Sequence, residues 1–439
     1  MRTPVAVFLV ASAVTFAPLA SARAAVTAAE RKLAARVERH VPRYLEVLER
    51  AVNQNSGTMN LAGVKAVGDL FAEEFQDLGF KTRWVDGAAW KRAGHLIAER
   101  GPGNAPKVVL VGHLDTVFEL DSPFQRWQRL DDSTARGPGA TDMKGGNVIM
   151  LTALRSLRDE GLLNRLRVVV VLTGDEEHVG TPVEAARAEY LQAAEGAIAA
   201  IGFEDGDGDP RHVVVSRRGS SRWLLHVRGR PSHSSQVFAT DVGSGAIYEA
   251  SRILQAFRDS LAMEPYLTYN PGLILGGSDV THEPDGSRGT ATGKDNIVAD
   301  STVVSGDLRA LSLEQRARAV ATMERIVAAT SPNTWATITF KHTYPPLAPA
   351  DGNRRLLAML DDVSRGLGLG ALEAVDPARA GAADVSFLAG RVPMVVDALG
   401  MKGSGGHTVD ETARLQSLGW QAKRVAVTLA RLSKERARK

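Results

Sequence analysis

At 439 residues the chain is too long for one ordinary hydrophobic core, which predicts two domains or a little more. A hydrophobic fraction of 44% and a charged fraction of 23% are those of a soluble globular protein. The formal net charge is only +3, with Lys and Arg scattered, so nothing favours a nucleic-acid groove. The chain has no cysteine, which excludes disulfides, thiolate ligands and a cysteine nucleophile; any metal must be held by His, Asp and Glu.

Residues 1–24 read as an export signal: Arg2 at the start, an apolar stretch from Val5 to Leu19 interrupted by Pro18, then Ala22-Arg23-Ala24 as a cleavage site. Its removal takes two positive charges and leaves 3 − 2 = +1. This predicts a periplasmic or secreted protein, with no membrane anchor after cleavage because no later segment reaches spanning length. Thr27-Ala28-Ala29-Glu30 has the form of a capping box that opens a helix. Residues 107–111, 166–172 and 196–201 are apolar without alternation, as strands buried on both faces of a parallel sheet are. Residues 145–160 and 182–193 supply crossover helices.

From about 215 the pattern changes. Residues 223–228, 296–299 and 302–309 alternate apolar with polar, and helix-like segments at 243–257 and 313–329 separate them. After 345 the earlier style returns, with a helix at 354–367, a buried strand at 392–396 and a closing amphipathic helix. The fold expected is α/β, a mostly parallel sheet flanked by helices, with a smaller α+β domain inserted. The larger domain is discontinuous, 25–214 and 345–439, and the insert spans 215–344.

The candidate chemistry sits just past the carboxyl ends of the buried strands, where open parallel sheets place their ligand crevice. His113 and Asp115 end one strand, Asp175-Glu176-Glu177 another, and Glu204 a third; His407 follows the last through a Gly-rich loop. Asp142 lies in Gly137–Gly146, just before a helix. That loop lacks the Walker and dinucleotide spacings, so it is not read as a phosphate cradle. Two His and several carboxylates suit a divalent pair of zinc, cobalt or manganese. Two such ions at ~3.5–4 Å need a bridging carboxylate, and together they polarise a carbonyl and acidify a water.

With these strings the chain resembles the aminoacylase / glutamate carboxypeptidase family of two-zinc exopeptidases (carboxypeptidase G-like), which also includes succinyl-diaminopimelate desuccinylase. The resemblance spans nearly everything after the signal. It is carried by Gly112-His113-Leu114-Asp115-Thr116-Val117, Gly137–Gly146, Gly174-Asp175-Glu176-Glu177, Phe203-Glu204, Gly229-Arg230-Pro231-Ser232-His233-Ser234 and Gly406-His407-Thr408. It implies two Zn2+ per chain in the larger domain, with Co2+ or Mn2+ as substitutes. His113 and Glu204 would hold one ion, Glu177 and His407 the other, and Asp142 would bridge them. Asp115 would orient His113, and Glu176 would be the general base. A third acid, Asp175, precedes that pair and leaves the register open by one position, although the family pattern favours Glu176 and Glu177.

The resemblance further implies that His233 crosses a homodimer interface made by the insert to stabilise an oxyanion, and that Asn296 and Arg309 contact substrate. His40, His95, His178, His212, His226, His282 and His342 are read as structural. The function expected is release of a C-terminal amino acid, glutamate foremost, from a small peptide or N-acyl amino acid. The alternatives are an N-acyl-amino-acid deacylase of the same mechanism and, more remotely, an inactive binding homologue.

Overall fold

The computed structural model describes residues 25–284 and 286–435; the expected signal segment lies outside them. The first described helix, Ala28–Asn53, opens on the capping box foreseen at Thr27, whose hydroxyl accepts from Glu30 N at 3.2 Å while Glu30 accepts from Thr27 N at 2.8 Å. Glu30 also pairs with Arg431 at 2.8 Å, which ties this helix to the closing helix Gln416–Leu432.

The larger sheet has six strands in the order Lys81–Asp86, Gly94–Arg100, Arg167–Thr173, Lys107–His113, Ala199–Gly202, Val395–Val396. The last four pair in parallel and the first two antiparallel. Every residue of Lys107–His113 is buried, because helices cover both faces of a strand made of Val and Leu. Lys144–Asp159 and Val183–Ala194 are the crossover helices, and the parallel connections bring all the candidate acids to one edge of the sheet.

The insert is a four-stranded antiparallel sheet, Thr268–Gly277, Ser301–Arg309, Ser220–Gly229, Thr334–Tyr344 in that order. Helices Gly245–Leu261 and Leu313–Ala328 bury one face over Trp223, Leu225, Val227, Phe257 and Val304. The other face is open. Residues 296–299, expected as a strand, are not one: Ile297 N turns back to Lys294 O, and only an isolated bridge joins Ile297 to His233. Of the strand expected at 392–396 only Val395–Val396 pairs. Among the described residues no helix is long and apolar enough to cross a membrane.

Candidate metal centre

Five side chains from five separate segments meet at the carboxyl edge of the larger sheet. His113 is the last residue of its strand and is 1% exposed. Its Nδ1 lies 3.0 Å from Asp115 O and 3.4 Å from Asp115 Oδ1, which fixes the proton there and turns Nε2 inward. Nε2 stands 2.9 Å from Asp142 Oδ1 and 3.7 Å from Glu204 Oε1. The other oxygen of Asp142 is 2.9 Å from His407 Nε2, which is itself 3.2 Å from Glu177 Oε2. Two trios result, His113–Asp142–Glu204 and Asp142–Glu177–His407, each with ligand atoms within 4.8 Å of one another and with Asp142 common to both.

Local sequence explains the convergence. Gly145 and Gly146 open the helix after Asp142, and a Cβ on either would lie 2.3 Å from Ala140 O or 2.2 Å from Phe203 O. Only glycine lets the Asp142 loop press against the strand end that carries Glu204. His407 has φ +62°, a left-handed conformation rare for a residue with a side chain, in a turn where Gly405 is also left-handed.

The charges are crowded. Burial, followed by the charge of Asp142, pushes Glu177 up to about 7. Burial also raises Glu176 and Glu204 well above the usual carboxylate range, Asp142 adding to the effect at Glu204. Hydrogen bonds to Asp142 and Glu177 lift His407 to about 11. Burial opposes the proton on His113, but Glu204, Asp115 and Asp142 outweigh it and hold the ring well above its ordinary value. Among the described residues buried Glu177 Oε1 has no hydrogen-bond partner, although such an oxygen normally has one. Two imidazoles and three carboxylates, one of them with an unsatisfied oxygen, fit a pair of divalent cations around a shared carboxylate.

A model described as Peptidase family M20/M25/M40 matches residues 109–431. The chain belongs to that family. It is a metallopeptidase or amidohydrolase. It is similar to carboxypeptidase G2 of Pseudomonas sp. (strain RS-16), 23% identical over 378 residues, 84% of this chain and 83% of the relative. It is 31% identical over 211 residues to a succinyl-diaminopimelate desuccinylase of Leptothrix cholodnii, 44% of this chain and 52% of the relative. Its fold is that of aminopeptidase PepT from Bacillus cereus, with a TM-score of 0.71 at 20% identity, over 90% of this chain and 99% of that one.

In this M20/M25/M40 peptidase the acid before the pair has separate work. Asp175 accepts from Arg187 Nη1 at 2.6 Å and from Gly180 N at 2.9 Å, wholly buried and away from the metal trios. Glu177 is the residue beside His407, and Glu176 lines the adjoining cleft. The motifs also passed over several partners. Buried Glu411 accepts from Gly139 N, Thr141 N, Thr141 Oγ1 and Asp142 N and so holds the Asp142 loop. Asp397 accepts from Glu204 N at 3.2 Å and pairs with buried Arg217 at 2.8 Å. Thr58 donates to Asp115 at 2.7 Å, and Tyr344 OH donates to Glu176 O at 2.8 Å. A lone acid or Arg far along the chain carries no spacing signal that could have revealed them.

The cleft beside the metal trios has a volume of about 760 Å³ and runs between the two domains. Arg309 lines it, its Nε 2.7 Å from Asp307. His233 and Asn296 do not. They sit together on the exposed surface of the insert, where Ser234 N donates to Asn296 O at 2.9 Å. Within one chain the structure does not bring these two residues to the metal centre.

Proposed function

We propose that the protein is an exported two-zinc exopeptidase that hydrolyses the amide bond beside a terminal carboxylate and releases a C-terminal amino acid, glutamate foremost. The observation that carries the reading is Asp142, whose two oxygens each face a histidine at 2.9 Å, with Glu176 in the cleft beside that pair. His113, Glu204, Glu177 and His407 would complete the two ligand sets. When bound, the metal pair supplies Lewis acidity to the scissile carbonyl and lowers the pKa of a water. Glu176 takes that water's proton, holds it on a carboxyl that burial already inclines to protonation, and delivers it to the leaving amine. Asp115 keeps the His113 ring oriented, and Arg309 grips the terminal carboxylate.

The export signal at 1–24 supports a periplasmic or secreted location. The position of His233 supports a homodimer, in which the partner subunit's His233 would serve the oxyanion. Exposed Phe238, Tyr248 and Ile274 on the insert, 64%, 60% and 50% accessible, offer apolar surface for such pairing. The likeness to a desuccinylase favours a second reading, an N-acyl-amino-acid deacylase with the same machinery. An inactive binding homologue has less in its favour, since all five donors and Glu176 are present.

The deciding experiment follows amino-acid release from a panel of dipeptides and N-acyl amino acids by zinc-loaded enzyme of measured metal content. Release of a C-terminal residue from peptides, with two zinc ions per active chain, is the expected result. Cleavage of N-acyl substrates alone selects the deacylase. Full activity with one ion or none sinks the bridged pair.

A further inference from the structure

Two segments join the insert to the larger domain, one leading into the strand Ser220–Gly229 and one leaving the strand Thr334–Tyr344. They are pinned to each other, since Arg217 N donates to Leu347 O at 2.9 Å and Leu347 N donates to Arg217 O at 3.0 Å. The Arg217 guanidinium fixes this neck on the larger domain, with Nε 2.9 Å from Asp397 and Nη1 donating to Gly381 O at 2.8 Å. Tyr344, the last residue of its strand, stands in that neck.

Its direction is not the one that strand alternation calls for. Ala336, Ile338 and Phe340 turn to the insert's own core, and an unbroken period of two would send Tyr344 there as well. The pairing register instead shifts between His342, opposite Ser221, and Tyr344, opposite Ser220, so Thr343 is an extra residue. Such a bulge re-aims the side chains beyond it. The buried Tyr344 ring packs on Phe387 of the larger domain, centroids 5.3 Å apart, and its hydroxyl donates to Glu176 O at 2.8 Å.

Glu176 is thereby held through its main chain on both sides. Glu176 N donates to Asp115 Oδ1 at 3.1 Å and Glu177 N to Asp115 Oδ2 at 3.1 Å, both from the larger domain. The carbonyl of Glu176 is held from the insert, by Tyr344. The Cα that bears the carboxyl lies between these two anchors.

We propose that Tyr344 is a positioning residue for Glu176: its hydroxyl, delivered by the neck of the insert, sets where the base stands in the cleft. The inference rests on the exopeptidase reading for the role of Glu176. Tyr344 moves no proton in the reaction. Its loss frees the carbonyl and lets the base drift, and a displacement of about 1 Å at a reacting group costs on the order of a hundredfold in rate. The metal ligands keep their own anchors, so occupancy should not follow.

The test is Tyr344→Phe, which keeps the ring on Phe387 and removes only the hydroxyl. In zinc-loaded enzyme, kcat on the fastest substrate of the release panel should fall roughly ten- to hundredfold, with KM within about twofold and zinc content unchanged. In a Glu176→Gln background the same change should lower the residual rate less than about threefold, because a base already lost cannot be misplaced. Hydrogen exchange followed by mass spectrometry gives a readout without turnover. The amides of Glu176 and Glu177 in zinc-loaded Tyr344→Phe should exchange about tenfold faster, the weight of one hydrogen bond.

An unchanged kcat, a rise in KM in its place, or an equal loss with and without Glu176 overturns the proposal while leaving the exopeptidase intact. Unaltered exchange at 176 and 177 overturns it whatever the kinetics, and decides alone if no compound is turned over. Faster exchange beside a Glu176→Gln enzyme that works at the parental rate has the opposite meaning: the anchor stands and the reading of Glu176 as the base falls.

Discussion

Glu411 lies outside every recognisable motif, and the structure makes it the residue that holds the Asp142 loop. One carboxylate oxygen accepts from Thr141 N at 2.7 Å, Thr141 Oγ1 at 3.1 Å and Asp142 N at 3.2 Å, and the other from Gly139 N at 3.0 Å. Glu411→Ala strands three buried backbone donors. At about 1–3 kcal/mol each, with water entering the space to recover part, the loss should be roughly 3–5 kcal/mol. Glu411→Gln can still offer one oxygen to Thr141 and Asp142, but its amide turns a donor towards Gly139 N. One bond and the charge are lost, for about 1–3 kcal/mol. Denaturant unfolding of metal-stripped protein measures both without contribution from metal binding. In parallel, zinc competition should show affinity reduced about ten- to hundredfold, as for other groups that hold ligands in place. Glu411→Ala within 1 kcal/mol of the parent, or undiminished zinc affinity, refutes the reasoning.

The register of the three consecutive acids gives three distinct phenotypes. Glu176→Gln should lower kcat at least about a hundredfold with metal content intact, whereas Glu177→Gln should lose metal. Asp175→Asn should keep metal and activity but cost about 2–3 kcal/mol, below the value for an unpaired buried charge because Asp384 still holds Arg187 at 2.9 Å. Metal analysis with denaturant titration checks all three, and exchanged phenotypes at 176 and 177 shift the frame by one. Zinc loading at pH 7 should release protons, because the folded metal-free protein keeps both imidazoles protonated, His407 up to about 11. The sign follows: those raised values stabilise the metal-free fold below the ordinary histidine pKa and lose their effect as pH rises through the folded value, so zinc affinity should climb with pH. Calorimetry in buffers of different ionisation heat reads the release, and its absence contradicts the ligand set. Finally, mixed dimers of inactive His233→Ala and inactive Glu176→Gln chains should regain activity, since an oxyanion donor is worth roughly two to three decades in rate; verified mixed dimers that stay inactive confine His233 to its own chain.

The parallel strands were legible because burial on both faces leaves an unbroken apolar run, as in Lys107–His113. The antiparallel edge strand Lys81–Asp86 was not, since its exposed positions interrupt any run. Thr334–Tyr344 alternates regularly, but Thr337, Thr339 and Lys341 on its open face and His342 on the other hid the period, while Asn296–Ile297 mimicked one for too few residues. At the site, His113 ends its strand, Asp115 and Glu204 follow theirs by two positions and Glu176 and Glu177 by three and four, so local strings made them readable. Glu411 and Asp397 were not, because their partners lie 269 and 193 residues away along the chain. The dimension the strings lack is which acid faces inward: Asp175 and Glu177 look alike in sequence, and only Arg187 on one side and His407 on the other tell them apart.

One construction rule links those hidden partners. The backbone N–H of Asp142 donates to Glu411, those of Glu176 and Glu177 donate to the two oxygens of Asp115, and that of Glu204 donates to Asp397. Every acid of the candidate metal centre is thus held through its own main chain by a buried carboxylate. Crowded carboxylates would otherwise swing apart, and a hydrogen bond to the main chain restrains the Cα while leaving both side-chain oxygens for a cation. The arrangement adds negative charge behind the site, and buried cations answer it: Arg217 against Asp397, Arg187 against Asp175 and Asp384, and Lys144 near Glu411 and Asp115. Ion pairs taken out of water rarely stabilise a fold more than apolar packing of the same volume. Here their position supplies the reason for them, since they let a row of acids share one sheet edge at spacings a metal pair can use.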